Sequence, residues 1–289
     1  MTDGGSIGVF DSGVGGLSVW REIARQLPNE STVYLADQVH VPYGGRSPAE
    51  VRRFCEGITR FLLGQGAKVV VVACNTASAV ALTHLRGAFP DVPFVGMEPA
   101  VKPAVERTDT GVVGVLATEA TFQGELFASL LNRYAGGVAV LTQVCPGLVE
   151  AVEAGAVETP DTEGLVRAYL TPLMDAGVDQ LVLGCTHYPF LQGAMEGIVG
   201  GTASIIDPAP AVARQTGRVL AGRGERASGE RPGRHRFTTT GDAAAFKRTM
   251  VQLVPGPGRG AEVREAHWEG LDVREGAWNA GTREQSSEV

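Results

Sequence analysis

Lys68–Ser78 reads KVVVVACNTAS, and Asp179–Pro189 reads DQLVLGCTHYP. Each stretch is a short aliphatic run, then a small residue, then a cysteine, then polar residues that open the next helix. Aliphatic runs without polar alternation belong to strands covered on both faces, as in a parallel sheet. The two cysteines, Cys74 and Cys185, stand 111 residues apart. A second pair repeats at nearly the same interval: IGVFDS (Ile7–Ser12) is matched 106 residues later by VGVLAT (Val113–Thr118). A duplicated unit of this length predicts two similar α/β halves, each with a cysteine at a strand end.

Working outward, short β-rich runs at Ile7–Phe10, Val33–Ala36, Val69–Ala73, Val92–Val95, Gly111–Leu116, Val138–Leu141, Gln180–Leu183 and Ala203–Ile206 alternate with helical segments, the order of a parallel α/β fold. One helix opens at Ser47, with Pro48 at its first position and Glu50 at its third, the pattern of a capping box. Arg223–Arg236, rich in Arg, Gly, Glu and Pro, reads as an exposed loop. Beyond about Pro255 the periodicity fades, and a loosely ordered tail is expected over residues 254–289.

The chain has 289 residues, enough for two domains of about 100–150 residues each. Its net charge of −7 lacks the basic footprint of a nucleic-acid binder. No apolar run approaches the roughly 20 residues of a membrane span, and the N-terminus shows no secretory signal. A cytoplasmic protein without nucleic-acid or membrane partners is expected. In that compartment the four cysteines stay reduced, so a singular cysteine is core filler, ligand or catalyst. Lys68, Lys102 and Lys247 are the only lysines, which leaves little for Schiff-base chemistry.

In open α/β sheets ligands sit beyond the carboxyl ends of the strands. Polar clusters fall there: Asp11-Ser12-Gly13, Cys74-Asn75-Thr76, Thr118 with Thr121, and Cys185-Thr186-His187. The turn Asp11-Ser12-Gly13-Val14-Gly15-Gly16 leads into a helix N-terminus, whose N–H groups suit an anion, carboxylate or phosphate. A symmetric pair of thiols suits one chemistry in particular. Inverting a stereocentre by proton transfer needs a base on one face and an acid on the other. A thiol with a pKa of about 8.5 is only a few per cent ionised at neutral pH, and a helix N-terminus or a nearby cation raises that fraction. A buried cysteine is ordinarily structural, but two in matching halves point to catalysis. Cys55, within a helix, and Cys145 read as core; Asp37 and Glu150 read as surface charges, and Lys68 as a solvated lead-in to its strand.

These residues resemble the glutamate racemase family, within the aspartate/glutamate racemase superfamily. The matching stretches are GVFDSGVGGLSV (Gly8–Val19), VPYGGRS (Val41–Ser47), ACNTASA (Ala73–Ala79), GVLATEATF (Gly114–Phe122), LVLGCTHYPFL (Leu181–Leu191), IDPA (Ile206–Ala209) and TTGDAAAFKR (Thr239–Arg248). The resemblance implies two parallel-sheet α/β halves related by pseudo-twofold symmetry, with glutamate in the cleft between them. It implies that Cys74 takes the α-proton from the D-enantiomer and Cys185 from the L-enantiomer, with Asp11 and His187 assisting the thiols. It further implies that Asp11, Ser12, Tyr43, Gly44, Asn75, Thr76, Thr118, Thr121, Thr186 and His187 bind substrate, and that D-glutamate supplies peptidoglycan. The expected division is residues 1–97 with 211–253 as one domain, 98–210 as the other, and 254–289 as the tail. A homodimer working without cofactor or metal is expected.

Other readings compete. The same chemistry could act on aspartate or another amino acid. A Cys-His hydrolase built on Cys185 and His187 would leave Cys74 unexplained. A metal centre of Cys74, Cys185 and His187 lacks any C-x-x-C motif. Some members of the resembled family bind DNA gyrase, and the tail would then be an interaction segment.

Overall fold

The computed structural model describes residues 5–229 and 231–276. Its strands are β1 (Ser6–Asp11), β2 (Thr32–Ala36), β3 (Ala67–Val72), β4 (Phe94–Gly96), β5 (Val112–Ala117), β6 (Ala139–Val144), β7 (Gln180–Gly184), β8 (Ser204–Ile206), β9 (His235–Thr239), β10 (Val263–Glu269) and β11 (Asp272–Glu275). They form two sheets, ordered β11-β10-β9-β2-β1-β3-β4 and β6-β5-β7-β8. All pairings are parallel except β10 with β11. The stretch β2-β1-β3-β4 of the first sheet has the same order as β6-β5-β7-β8 of the second. The motif repeat is therefore a repeat of topology: β1 corresponds to β5, and β3 to β7.

Side-chain alternation explains why these runs carry no polar residues. In the first sheet Ile7, Val9, Val69 and Val71 pack on one side, with Leu17, Val19, Trp20 and Ile23 of α1 (Leu17–Gln26) and with the helix Ala209–Gly222. Phe10, Val33, Leu35, Val70 and Val72 pack on the other, with Val51, Cys55 and Ile58 of α2 (Pro48–Gly64) and Ala77, Ala81 and Leu85 of α3 (Asn75–Ala88). With helices on both faces, each strand position meets an apolar neighbour whichever way it points. The predicted capping box is present: the Glu50 N–H donates to Ser47 Oγ at 3.3 Å, and the Ser47 N–H donates to Glu50 Oε2 at 3.0 Å. Among the described residues no helix is long and apolar enough to cross a membrane.

Four expectations need correction. The stretch assigned to a loose tail contains β10 and β11, which extend the first sheet; residues 277–289 lie outside the described residues. Of these two strands only Ala266 and Val273 are fully buried, so the apolar pattern that marks the inner strands is missing. Lys68 is not a solvated lead-in: its Nζ lies 2.7 Å from Glu30 Oε2, and both side chains are largely buried. Asp37, read as a surface charge, is fully buried. The stretch read as an exposed loop, Arg223–Arg236, runs at its end into β9.

Candidate active site

The matched strands β1, β3, β5 and β7 end at the same place. Asp11 closes β1 and Ser12 follows it; Cys74 lies two residues beyond β3, and Thr118 and Cys185 lie one residue beyond β5 and β7. Cys74 takes the N-cap position of α3 in an extended conformation, and its Sγ accepts the Ala77 N–H at 3.4 Å. A narrow cavity opens between the halves. Cys74, Asn75 and Thr76 wall it from the first half, and Thr118, Cys185, Thr186 and His187 from the second. Ser12, Tyr43 and Gly44 complete it, with Pro42 and Val149. Of the residues singled out from sequence, Asp11 and Thr121 stand behind this wall.

Asp11 is fully buried, and its Oδ2 accepts the N–H groups of Gly13 at 3.2 Å and Gly16 at 2.8 Å. The Val14 N–H donates to Glu153 Oε1 at 2.7 Å. The anions at this glycine-rich turn are therefore carboxylates of the chain itself, at least for these three N–H groups. Close approach explains two of its glycines: a Cβ at Gly13 would strike the Glu153 carboxylate, and one at Gly15 the His187 ring. Across the cleft, Thr76 Oγ1 meets Thr118 Oγ1 at 2.9 Å, and Thr118 meets Thr121 at 2.9 Å. Ser18 Oγ donates to the Thr186 carbonyl at 2.9 Å, a further bond between the halves.

The two thiols differ in their surroundings. Burial pushes the Cys74 thiol well up, the negative charge of Asp11 adds to this, and the Ala77 N–H pulls back. Cys185 Sγ lies 3.7 Å from His187 Nδ1, and His187 Nε2 lies 2.7 Å from Glu153 Oε1. Burial alone would lower the His187 pKa, but Cys185 and Glu153 outweigh it and hold the imidazole well above its ordinary value. Burial likewise opposes ionisation of Glu153, yet its bond to His187 takes its pKa below the usual range. His187 is thus a buried cation poised beside Cys185, while Cys74 faces a carboxyl that burial pushes up. The Asn75 side chain is buried with neither its Nδ2 nor its Oδ1 hydrogen-bonded. Such a group costs stability unless a ligand satisfies it.

Glu153 was missed in the sequence. It lies on the short helix Leu148–Glu153 beside Val149 and Val152, which are buried. An acidic residue on the apolar face of a helix was the available signal, and the neighbouring Glu150, noted instead, is exposed. Cys55 and Cys145 are buried outside the cavity, Cys145 donating to the Gln143 carbonyl at 3.6 Å. Among the described residues no group of three or more His, Cys, Asp or Glu is placed to hold a metal ion.

Residues 7–216 match the family described as Asp/Glu/Hydantoin racemase. The chain is 51% identical over 248 residues to the glutamate racemase of Roseiflexus sp. (strain RS-1), covering 86% of this chain and 91% of that one. Its structure resembles the glutamate racemase isoform RacE1 from Bacillus anthracis with a TM-score of 0.82 and 34% identity, over 93% of this chain and 99% of that one. It also resembles the glutamate racemase from Thermus thermophilus in complex with β-chloro-D-alanine, with a TM-score of 0.75 and 39% identity, over 92% and 98% of the two chains.

Proposed function

The chain belongs to the Asp/Glu/Hydantoin racemase family, among the glutamate racemases, and from that premise we propose that it interconverts L- and D-glutamate by proton transfer between two cysteines. The observation that carries this reading is the placing of Cys74 and Cys185, one from each half, on the walls of one small cavity. Enantiomers have equal free energy, so a racemase must run equally well in both directions. A pair of like groups on opposite sides of Cα meets that need. With L-glutamate bound, the Cys185 thiolate, stabilised by the His187 cation, takes the α-proton, and the Cys74 thiol delivers a proton to the opposite face. The D-enantiomer runs the same steps reversed, starting from a Cys74 thiolate whose proton has passed to the Asp11 carboxylate and from a protonated Cys185.

Asn75 and the Thr76–Thr118–Thr121 chain supply unsatisfied or adaptable hydrogen-bonding groups for the carboxylates and ammonium of the substrate. General acid–base groups of this kind contribute about 10²–10⁴ each, and exclusion of water by the bound substrate adds to it. In this reading the enzyme needs no cofactor or metal, acts in the cytoplasm as a homodimer, and supplies D-glutamate for peptidoglycan.

The test is chiral chromatography of L-glutamate incubated with the purified protein in D₂O. The expected result is drift toward equal amounts of the two enantiomers, with one deuterium on Cα of the D-product, unchanged after dialysis against EDTA and hydroxylamine. Racemisation of aspartate but not glutamate would transfer the reading to the other amino acid.

A further inference from the structure

Asp37 is a buried carboxylate that the proposed chemistry does not use. It follows β2 and gathers four partners. Its Oδ2 accepts the Tyr43 hydroxyl at 2.7 Å and lies 2.9 Å from His40 Nδ1. Its Oδ1 accepts the Thr240 hydroxyl at 2.9 Å and the Trp268 Nε1–H at 2.8 Å. Trp268 comes from β10, the strand hidden in the presumed tail. Its seat is prepared on α2: a Cβ at Gly57 would come within 2.6 Å of the indole. The indole also packs against His40 and Phe54, with ring centroids at 5.3 and 5.7 Å. His40 stacks on Phe54 at 3.8 Å, and its carbonyl accepts the Arg46 Nε–H at 2.7 Å. Both ends of the segment His40–Arg46 are thereby fixed. The turn Tyr43–Gly45 within it reaches across the cleft until Gly44 abuts Thr118, where an added Cβ would lie 3.2 Å from the threonine Cβ.

We propose that Trp268 is a positioning residue: through Asp37 it holds the Tyr43 hydroxyl, and with it the Tyr43–Gly44 wall of the cavity, so that the C-terminal hairpin sets the affinity for the amino acid. The inference rests on the reading of this cavity as the substrate site. Tyr43 and Gly44 stand apart from the two thiols in function, so their displacement weakens ground state and transition state alike. Such a change raises KM and spares kcat.

The test is steady-state racemisation of both glutamate enantiomers by the full chain carrying Trp268→Phe, which keeps a ring on the Gly57 seat and removes the N–H. The expected result is a KM raised about tenfold, the size of one lost hydrogen bond, with kcat within about twofold. Because KM does not depend on how much of the protein is folded, a purely structural lesion would lower apparent kcat instead. Gly57→Ala, whose Cβ would meet the Leu271 carbonyl oxygen at 2.5 Å as well as the indole at 2.6 Å and so displace the hairpin together with Trp268, should raise KM in the same way. Combining Trp268→Phe with Tyr43→Phe should give no more than the larger single effect, because both act through one carboxylate. Unchanged KM in both single variants, or effects that multiply in the double variant, would overturn the proposal. Absence of racemisation by the unsubstituted protein would instead overturn the reading of the site beneath it.

Discussion

Asn75 has both polar atoms of its side chain buried and unbonded at the start of α3, an arrangement that costs about 1–3 kcal/mol in the free protein. Asn75→Ala should therefore leave the thermal midpoint of the ligand-free protein unchanged or higher, while raising KM about tenfold. A lower midpoint with unchanged KM would make Asn75 a structural residue. Glu153 makes the opposite prediction, because its bonds to His187, Val14 and Gln38 are already formed. Removing one partner of a buried ion pair strands the other, so Glu153→Gln should cost roughly 3 kcal/mol at the plateau. The pH dependence follows from the directions of the two shifts. His187 is raised, so its contribution is full below its ordinary value of 6.5 and is lost as pH climbs through the raised pKa. Glu153 is lowered, so its contribution is full above its ordinary 4.5 and is lost as pH falls through the lowered pKa. Urea unfolding of both proteins across pH should show the widest gap between about pH 4.5 and 6.5, narrowing on either side; a constant gap would exclude the ion pair as its source. Cys74, Cys185, Asp11 and His187 were legible in the sequence because they sit in short motifs at strand ends. Glu153 and Asp37 were not, because their roles depend on partners 34 and 231 residues away.

The C-terminal hairpin carries the prediction at the scale of elements. Arg60 on α2 donates to Asp272 Oδ1 at 2.8 Å and to the Leu271 carbonyl at 2.9 Å, and Val273 is buried. A chain ending at Glu269 should melt at least about 5 °C below one ending at Gly276, equivalent to roughly 1–2 kcal/mol for a domain of this size. Equal melting of the two chains would mean that β11 adds nothing. The hairpin was hidden for a physical reason. Inner parallel strands are buried on both faces and read as unbroken apolar runs, but β10 and the edge strand β11 bury fully only Ala266 and Val273. The remaining clue was Gly270, which takes a positive φ of 62° in the two-residue turn between Glu269 and Asp272. The opening of α2 was legible for the converse reason. A capping box is a purely local pattern, with Ser47 and Glu50 one helical turn apart.

For the whole molecule, the repeat that decided the fold also places the two cysteines. Strand order β2-β1-β3-β4 and its copy β6-β5-β7-β8 bring corresponding strand ends to one cleft, so a cysteine at the end of the third strand of each half reaches the same cavity. What the repeat did not disclose is the asymmetry laid over it: a histidine–glutamate ion pair beside Cys185, and a buried carboxyl beside Cys74. That asymmetry arises from side chains that have no counterpart in the other half. The central claim is that each thiol serves one enantiomer. Its most direct test is the elimination of chloride from each enantiomer of a β-chlorinated glutamate, a reaction that needs a base on one face only. Cys74→Ser retains Cys185 and should eliminate from the L-enantiomer but not the D, while Cys185→Ser should do the reverse, and neither should racemise glutamate. Elimination from both enantiomers at similar rates by either single variant would contradict the two-thiol account.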